Sequence, residues 1–164
     1  MTPPAPASGE PLPQGQVQLT NVVMDRFERD RLRERAQVES MTLARSARAA
    51  RGKGVEVEVR AKAPDAGPTR LFAPMGAVDM RTQRTFLTGG VRVVDAAGRT
   101  LTTEALTHEG AENVVRSEHP VTLEGENFRI QGAGFVLRPD ADDLQVAGPI
   151  QAELSEAPAA PGGR

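Results

Sequence analysis

The residues best suited to chemistry in this chain are two histidines and one run of carboxylates. His108 and His119 stand in turn-like contexts, with no H-x-E or H-x-x-H spacing around them. His119 precedes Pro120, which favours a locally extended backbone. Both are expected to be solvated turn histidines. The acidic run Asp140-Ala141-Asp142-Asp143 lacks the glycine and the closing glutamate of a calcium loop and reads as a plain acidic turn. Gly89-Gly90 and Gly132-Ala133-Gly134 are followed by strand-like sequence, not by the helix N-terminus that a phosphate cradle needs. No Gly-x-Ser-x-Gly elbow occurs, nothing in the chain is built to bind ATP, and the remaining acids fall mostly at turns or on outward phases. The expectation is a non-enzymatic chain with no catalytic residue, no metal and no cofactor.

Composition narrows the class. A chain of 164 residues is a prior for one domain, yet it is only 38% hydrophobic and has no Trp or Tyr and five Phe. That is thin aromatic payload for a closed globule, and it suits an extended sheet. The net charge of −2 gives no field for nucleic acid, although all but two of the 20 cationic side chains are arginine. Absence of cysteine removes thiol catalysis and disulfides, and fits either the cytosol or a bacterial periplasm. No apolar run is long enough to span a membrane, and no signal peptide is visible.

The elements follow from alternation. In TFLTGGVRVVDAAGRTLTTEAL (85–106), Leu87, Val91 and Val93 share a face, AAG supplies a turn, and Leu101, Thr103 and Ala105 alternate again. The unit recurs about every 30 residues, with Val121 and Leu123 in the next copy, Ile150 in the last and Val55, Val57 and Val59 in a weaker upstream one. Such self-similarity predicts an all-β protein of repeated antiparallel strand pairs. Strands are also read over 17–27 and over 70–80, where Pro74 and Gly76 imply a bulge or an edge. Residues 25–51 have helical propensity and some helical spacing, but they read as strands because the sheet needs a partner. Phe128 and Ile130 change phase with Phe135 and Leu137 across two glycines, so a corner is expected there. LQVAGPIQAEL (144–154) alternates without interruption and reads as one closing strand. The Pro-, Gly- and Ser-rich stretches 1–16 and 155–164 read as a linker and a tail around a domain at 17–154.

What remains for function is an apolar face. Leu87, Val91, Val93, Leu101, Val121, Leu123, Phe135, Leu137, Val146 and Ile150, with Leu144 and Leu154, are the inward candidates. Singly they are ordinary core. Together, branched aliphatics with few aromatics suit the lining of a greasy groove, where each acyl CH₂ buried is worth roughly 0.8 kcal/mol. The first ten are the candidate lipid-contact set.

FLTGGVRVVD (86–95), LTTEALTHEG (101–110), VVRSEHPVTLEGENFRIQGAGFVL (114–137) and LQVAGPIQAEL together resemble the LptC family, the periplasmic component of the bacterial lipopolysaccharide export machine. Gly90-Val91-Arg92-Val93, Leu101-Thr102-Thr103-Glu104, Val121-Thr122-Leu123-Glu124-Gly125 and Gly132-Ala133-Gly134 carry the likeness, which spans 17–154. The turn glycine of the family's opening hairpin is missing here, and no N-terminal anchor is seen; it is expected to have been removed or to be naturally absent. The resemblance implies an open β-jellyroll, periplasmic and associated with the inner membrane, whose interior shields lipid A acyl chains. It implies a transporter jellyroll as partner of the N-terminal edge (Val17, Leu19, Val22, Val23). It implies a LptA-like bridge subunit as partner of the C-terminal edge (Leu144, Gln145, Val146, Ile150, Gln151, Leu154). A homodimer is possible for such an exposed sheet. The competing expectation is a structural β-solenoid that polymerises through its edges, with a closed and dry interior.

Overall fold

The computed structural model describes residues 15–44 and 48–155. The expected linker and tail lie outside these, except for Gly15, Gln16 and Ser155. Among these residues, twelve strands form one antiparallel sheet. They are β1 (Gln16–Glu28), β2 (Arg31–Ala44), β3 (Ala49–Val59), β4 (Thr69–Asp79), β5 (Arg84–Val94), β6 (Thr100–Glu109), β7 (Val114–Ser117), β8 (Val121–Glu124), β9 (Phe128–Gly132), β10 (Gly134–Arg138), β11 (Asp143–Ala147) and β12 (Gln151–Leu154). The fold is an open β-jellyroll.

A bend line crosses the sheet and explains its shape. Pairing lapses at Asn21/Glu39 between β1 and β2, at Glu39/Gly54 between β2 and β3, and at Gly54/Pro74 between β3 and β4. It then shifts register between Phe72 and Met75 and between Thr88 and Val91, where Gly89 and Gly90 take φ of +91° and +96°. Such values are open to glycine and strained for other residues. Beyond β6 the strands break outright. The first half of β6 pairs with β8 and the second half with β7, so the sheet forks. One branch continues through β9 and β12, and the other through β10 and β11.

In β1 to β4 and in β6 the inward phase switches at this line, whereas β5 takes up two glycines there and keeps its phase, so two leaves face one another. One leaf carries the cross-strand row Met24, Ala36, Val57, Leu71, Val93, Leu101, Leu123, Ile130 and Ala152. The other carries Val17, Leu43, Ala50, Val78, Thr85, His108, Val115, Leu137 and Leu144. Directly opposed apolar pairs of this kind are the unit of sheet stability. Both rows feed one core, in which Val59, Leu71, Leu87, Val91, Val93, Leu101 and Val115 are fully buried. The strands expected in the ambiguous 25–51 stretch are present, among its described residues, as the end of β1, β2 and the start of β3. Its hairpin manages without glycine because Arg29 adopts φ 57°.

Two expectations need correction. The closing segment 144–154 is two strands, not one: β11 pairs with β10, and after a cis Gly148–Pro149 bond β12 pairs with β9. Alternation survives the break, but the partner changes. Leu154, expected inward, is 84% exposed because β12 closes an open branch over which no described residue packs. Of the two alternatives expected at 70–80, the bulge is what occurs, and β4 lies between β3 and β5.

Candidate functional site

The residues that alternate most regularly pack most tightly. Of the ten candidate lipid contacts, Leu87, Val91, Val93, Leu101, Val121, Leu123, Phe135 and Leu137 are buried core. Val146 is half-buried at the core's margin, and Ile150 is 50% exposed in the link between β11 and β12. None of the ten lines the main apolar cavity. Alternation identifies side chains that face inward, and where those are large and branched they fill the interior.

The cavity lies instead between the N-terminal strands of the two leaves. It has a volume of about 250 Å³. Its walls are apolar and partly made of small residues: Ala36, Val38, Met41, Val55 and Val57 with Ala50, Gly52, Gly76 and Ala77. At one end stand Met24, Asp25, Arg26 and Glu34 from one leaf and Met80, Gln83 and Thr85 from the other. Met80, at 43% exposure, makes that end an apolar rim open to solvent. Polar groups are confined to this rim.

A chain of polar side chains ties the leaves together beside the rim. Arg26 Nε donates to Glu34 Oε2 at 3.2 Å. Glu34 Oε2 lies 3.7 Å from His108 Nδ1, and His108 Nε2 lies 3.0 Å from Asn113 Oδ1. Asn113 Nδ2 donates to Asp140 Oδ1 at 3.2 Å, so its carbonyl faces the imidazole and Nε2 is the donor there. Asp140 also accepts from Arg33 Nη2 at 3.1 Å and from the Lys62 backbone N–H at 2.8 Å. Arg33 completes its fork on Glu28 and on the Arg60 carbonyl. Buried charge persists only when paired in this way.

This clasp corrects two expectations. His108 is not a solvated turn residue: it is 1% exposed, on the inward face of β6 two residues beyond Leu106. Its Nδ1 is buried without a hydrogen-bond partner. The acidic run is likewise more than a turn, because Asp140 is the point where β2, the segment after β3 and the β6–β7 turn converge. His119 is exposed, as expected. Among the described residues no three His, Asp or Glu side chains converge as metal ligands, and no helix is long and apolar enough to cross a membrane.

Among the described residues, both ends of the sheet are unpaired along one side. β1 pairs only with β2, so Val17, Leu19, Val22 and Val23 lie on an edge strand, with Val23 58% exposed. β11, with Leu144, Gln145 and Val146, pairs only with β10; β12, with Gln151 and Leu154, pairs only with β9. Free strand edges present unused N–H and C=O groups, which template addition of another strand.

In comparison with known proteins, the family model described as lipopolysaccharide-assembly, LptC-related, matches residues 56–152. No curated protein sequence matches the chain.

Proposed function

This chain belongs to the LptC-related family of lipopolysaccharide-assembly proteins, and from that premise we propose that it accepts lipopolysaccharide acyl chains between its two leaves and passes them on. The family acts in lipopolysaccharide transport as a periplasmic component associated with the inner membrane, and it is a family of bridge proteins, not of enzymes. The observation that carries the finer reading is the apolar cavity between the leaves, greasy along its walls and polar only at its rim. Removing alkyl chains from water there is favourable at roughly 0.8 kcal/mol per CH₂. A headgroup would remain outside, where water and charge solvate it.

The edges supply the hand-over. Strand addition on β1 by a jellyroll domain of the inner-membrane transporter would align a donor interior with this one, and addition on β11 or β12 by a bridge subunit would align an acceptor. The two leaves would then run on as one groove. Lipid moves through by filling and emptying, with energy supplied by the transporter. The structural-solenoid alternative uses the same edges, but it has no use for an open apolar cavity.

A transfer assay tests this. Vesicles holding the transporter and lipopolysaccharide are mixed with a soluble bridge subunit, and lipid reaching that subunit is measured. Transfer should require this chain, and Met80→Glu, which charges the exposed rim, should reduce it about tenfold or more. Transfer of equal rate without the chain would overturn the proposal.

A further inference from the structure

One cross-strand row departs from the others at the cavity. Leu19, Met41, Gly52, Gly76, Leu87 and Leu106 are successive partners across β1 to β6. Four are large and apolar, and the two in the middle, paired with each other, have no side chain. Their backbone does not demand glycine: neither has the positive φ of Gly54, Gly89 or Gly90. Glycine inside a strand weakens it and marks a place where something must approach the backbone closely.

What these glycines supply is room for the side chains packed over them. A Cβ on Gly52 would meet Val38 Cγ1 at 2.5 Å, and one on Gly76 would meet Val55 Cγ2 at 3.0 Å and Leu87 Cδ2 at 3.1 Å. Val38 and Val55 are cavity walls, so a side chain at either glycine would have to push them into the cavity or fill it itself. Met41, the next residue of the row, closes the same region with a flexible side chain.

The cavity's size limits what enters. At about 250 Å³ it exceeds the roughly 150 Å³ engineered cavity that holds benzene, and falls below the roughly 300–1,000 Å³ of pockets that enclose drug-sized ligands. Several chains at once do not fit, whereas a segment of one chain does. Nor does the rim select a charged head, because Arg26 is already paired with Glu34.

We infer that the cavity takes a single alkyl chain, and that the Gly52–Gly76 pair and Met41 are the residues that set the length it accepts. This rests on the lipid-conduit reading and adds the stoichiometry and the specificity determinant. Competition between cis-parinaric acid and octanoic, dodecanoic or hexadecanoic acid on the purified chain tests it. One parinaric acid should bind per chain. Each methylene that enters the cavity should improve competition about fourfold, with a plateau once the cavity is full. Gly76→Val should move the plateau to a shorter acid and Met41→Ala to a longer one. A plateau unmoved in Met41→Ala, whose fold is checked by thermal melting, would overturn the inference even if Gly76→Val fails to fold. Two or more chains bound per protein would also overturn it. No binding of any acid to the wild type would instead sink the conduit reading itself.

Discussion

At the scale of single residues, the least foreseeable feature is the clasp around His108. Its neighbours Glu109 and Gly110 look like turn sequence, and the inward phase of β6 shifts between Thr103 and Leu106, so alternation counted from Leu101 misses it. Asp140 was equally hidden, because its partners Arg33, Lys62 and Asn113 are distant in sequence. Removing the central amide leaves the buried His108 Nε2 without its partner and takes one donor from Asp140. Asn113→Ala should therefore lower unfolding stability by about 1–3 kcal/mol in urea titration, and a change near zero would mean that the clasp contributes nothing. Leu101→Ala, in the filled part of the interior, should lower it by about 2–5 kcal/mol. The exposed Asp25–Arg35 pair adds a pH dependence. The hydrogen bond from Arg35, together with the positive charge of Arg35 and Arg60, holds the Asp25 carboxyl below its usual range against the opposing effect of burial. A depressed carboxyl stabilises the fold above its unfolded pKa, and that contribution is lost as pH falls through the folded value. The stability gap between wild type and Asp25→Asn should be present at neutral pH and close below about pH 4, and it should shrink in high salt.

At the scale of elements, the strands were legible wherever one phase persists, as in Val55, Val57 and Val59 or in Leu101 and Thr103. The bend line is what blurred the rest. In β2 the buried residues Ala36 and Val38 are followed by Met41, and that three-residue step at the corner imitates helical spacing. The closing segment erred in the opposite direction, since an even spacing from Leu144 to Leu154 conceals a change of partner strand at Gly148–Pro149. The corner's chemistry is testable at Gly90, whose φ is +96° and around which a Cβ would meet nothing within 4 Å. Gly90→Ala therefore probes backbone strain without a clash. It should lower stability by about 1–3 kcal/mol, read in the same titration. An unchanged midpoint would show that the bend does not depend on glycine there.

At the scale of the whole molecule, repetition and alternation announced an all-β protein of antiparallel strand pairs, and the likeness to the family, strongest over 85–154, added the open jellyroll. The site was less legible. Eight of the ten expected lipid contacts lie on β5, β6, β8 and β10, where large side chains close the interior, and Val146 and Ile150 lie beyond them. Empty space lies where inward side chains are smallest, at Ala36, Ala50, Gly52, Gly76 and Ala77. No periodicity reports that, because a glycine within an apolar row looks like a defect until its partner strand is known. The central claim is that lipopolysaccharide travels between the leaves. Site-specific photocrosslinking tests it most directly, with probes at Met41 and Val55 in the cavity and at Arg92 on the outer face, in membranes holding lipopolysaccharide and the transporter. Lipid adducts at Met41 and Val55 but not at Arg92 are the predicted result. Adducts at none of the three in folded protein, or equally at Arg92, would contradict it.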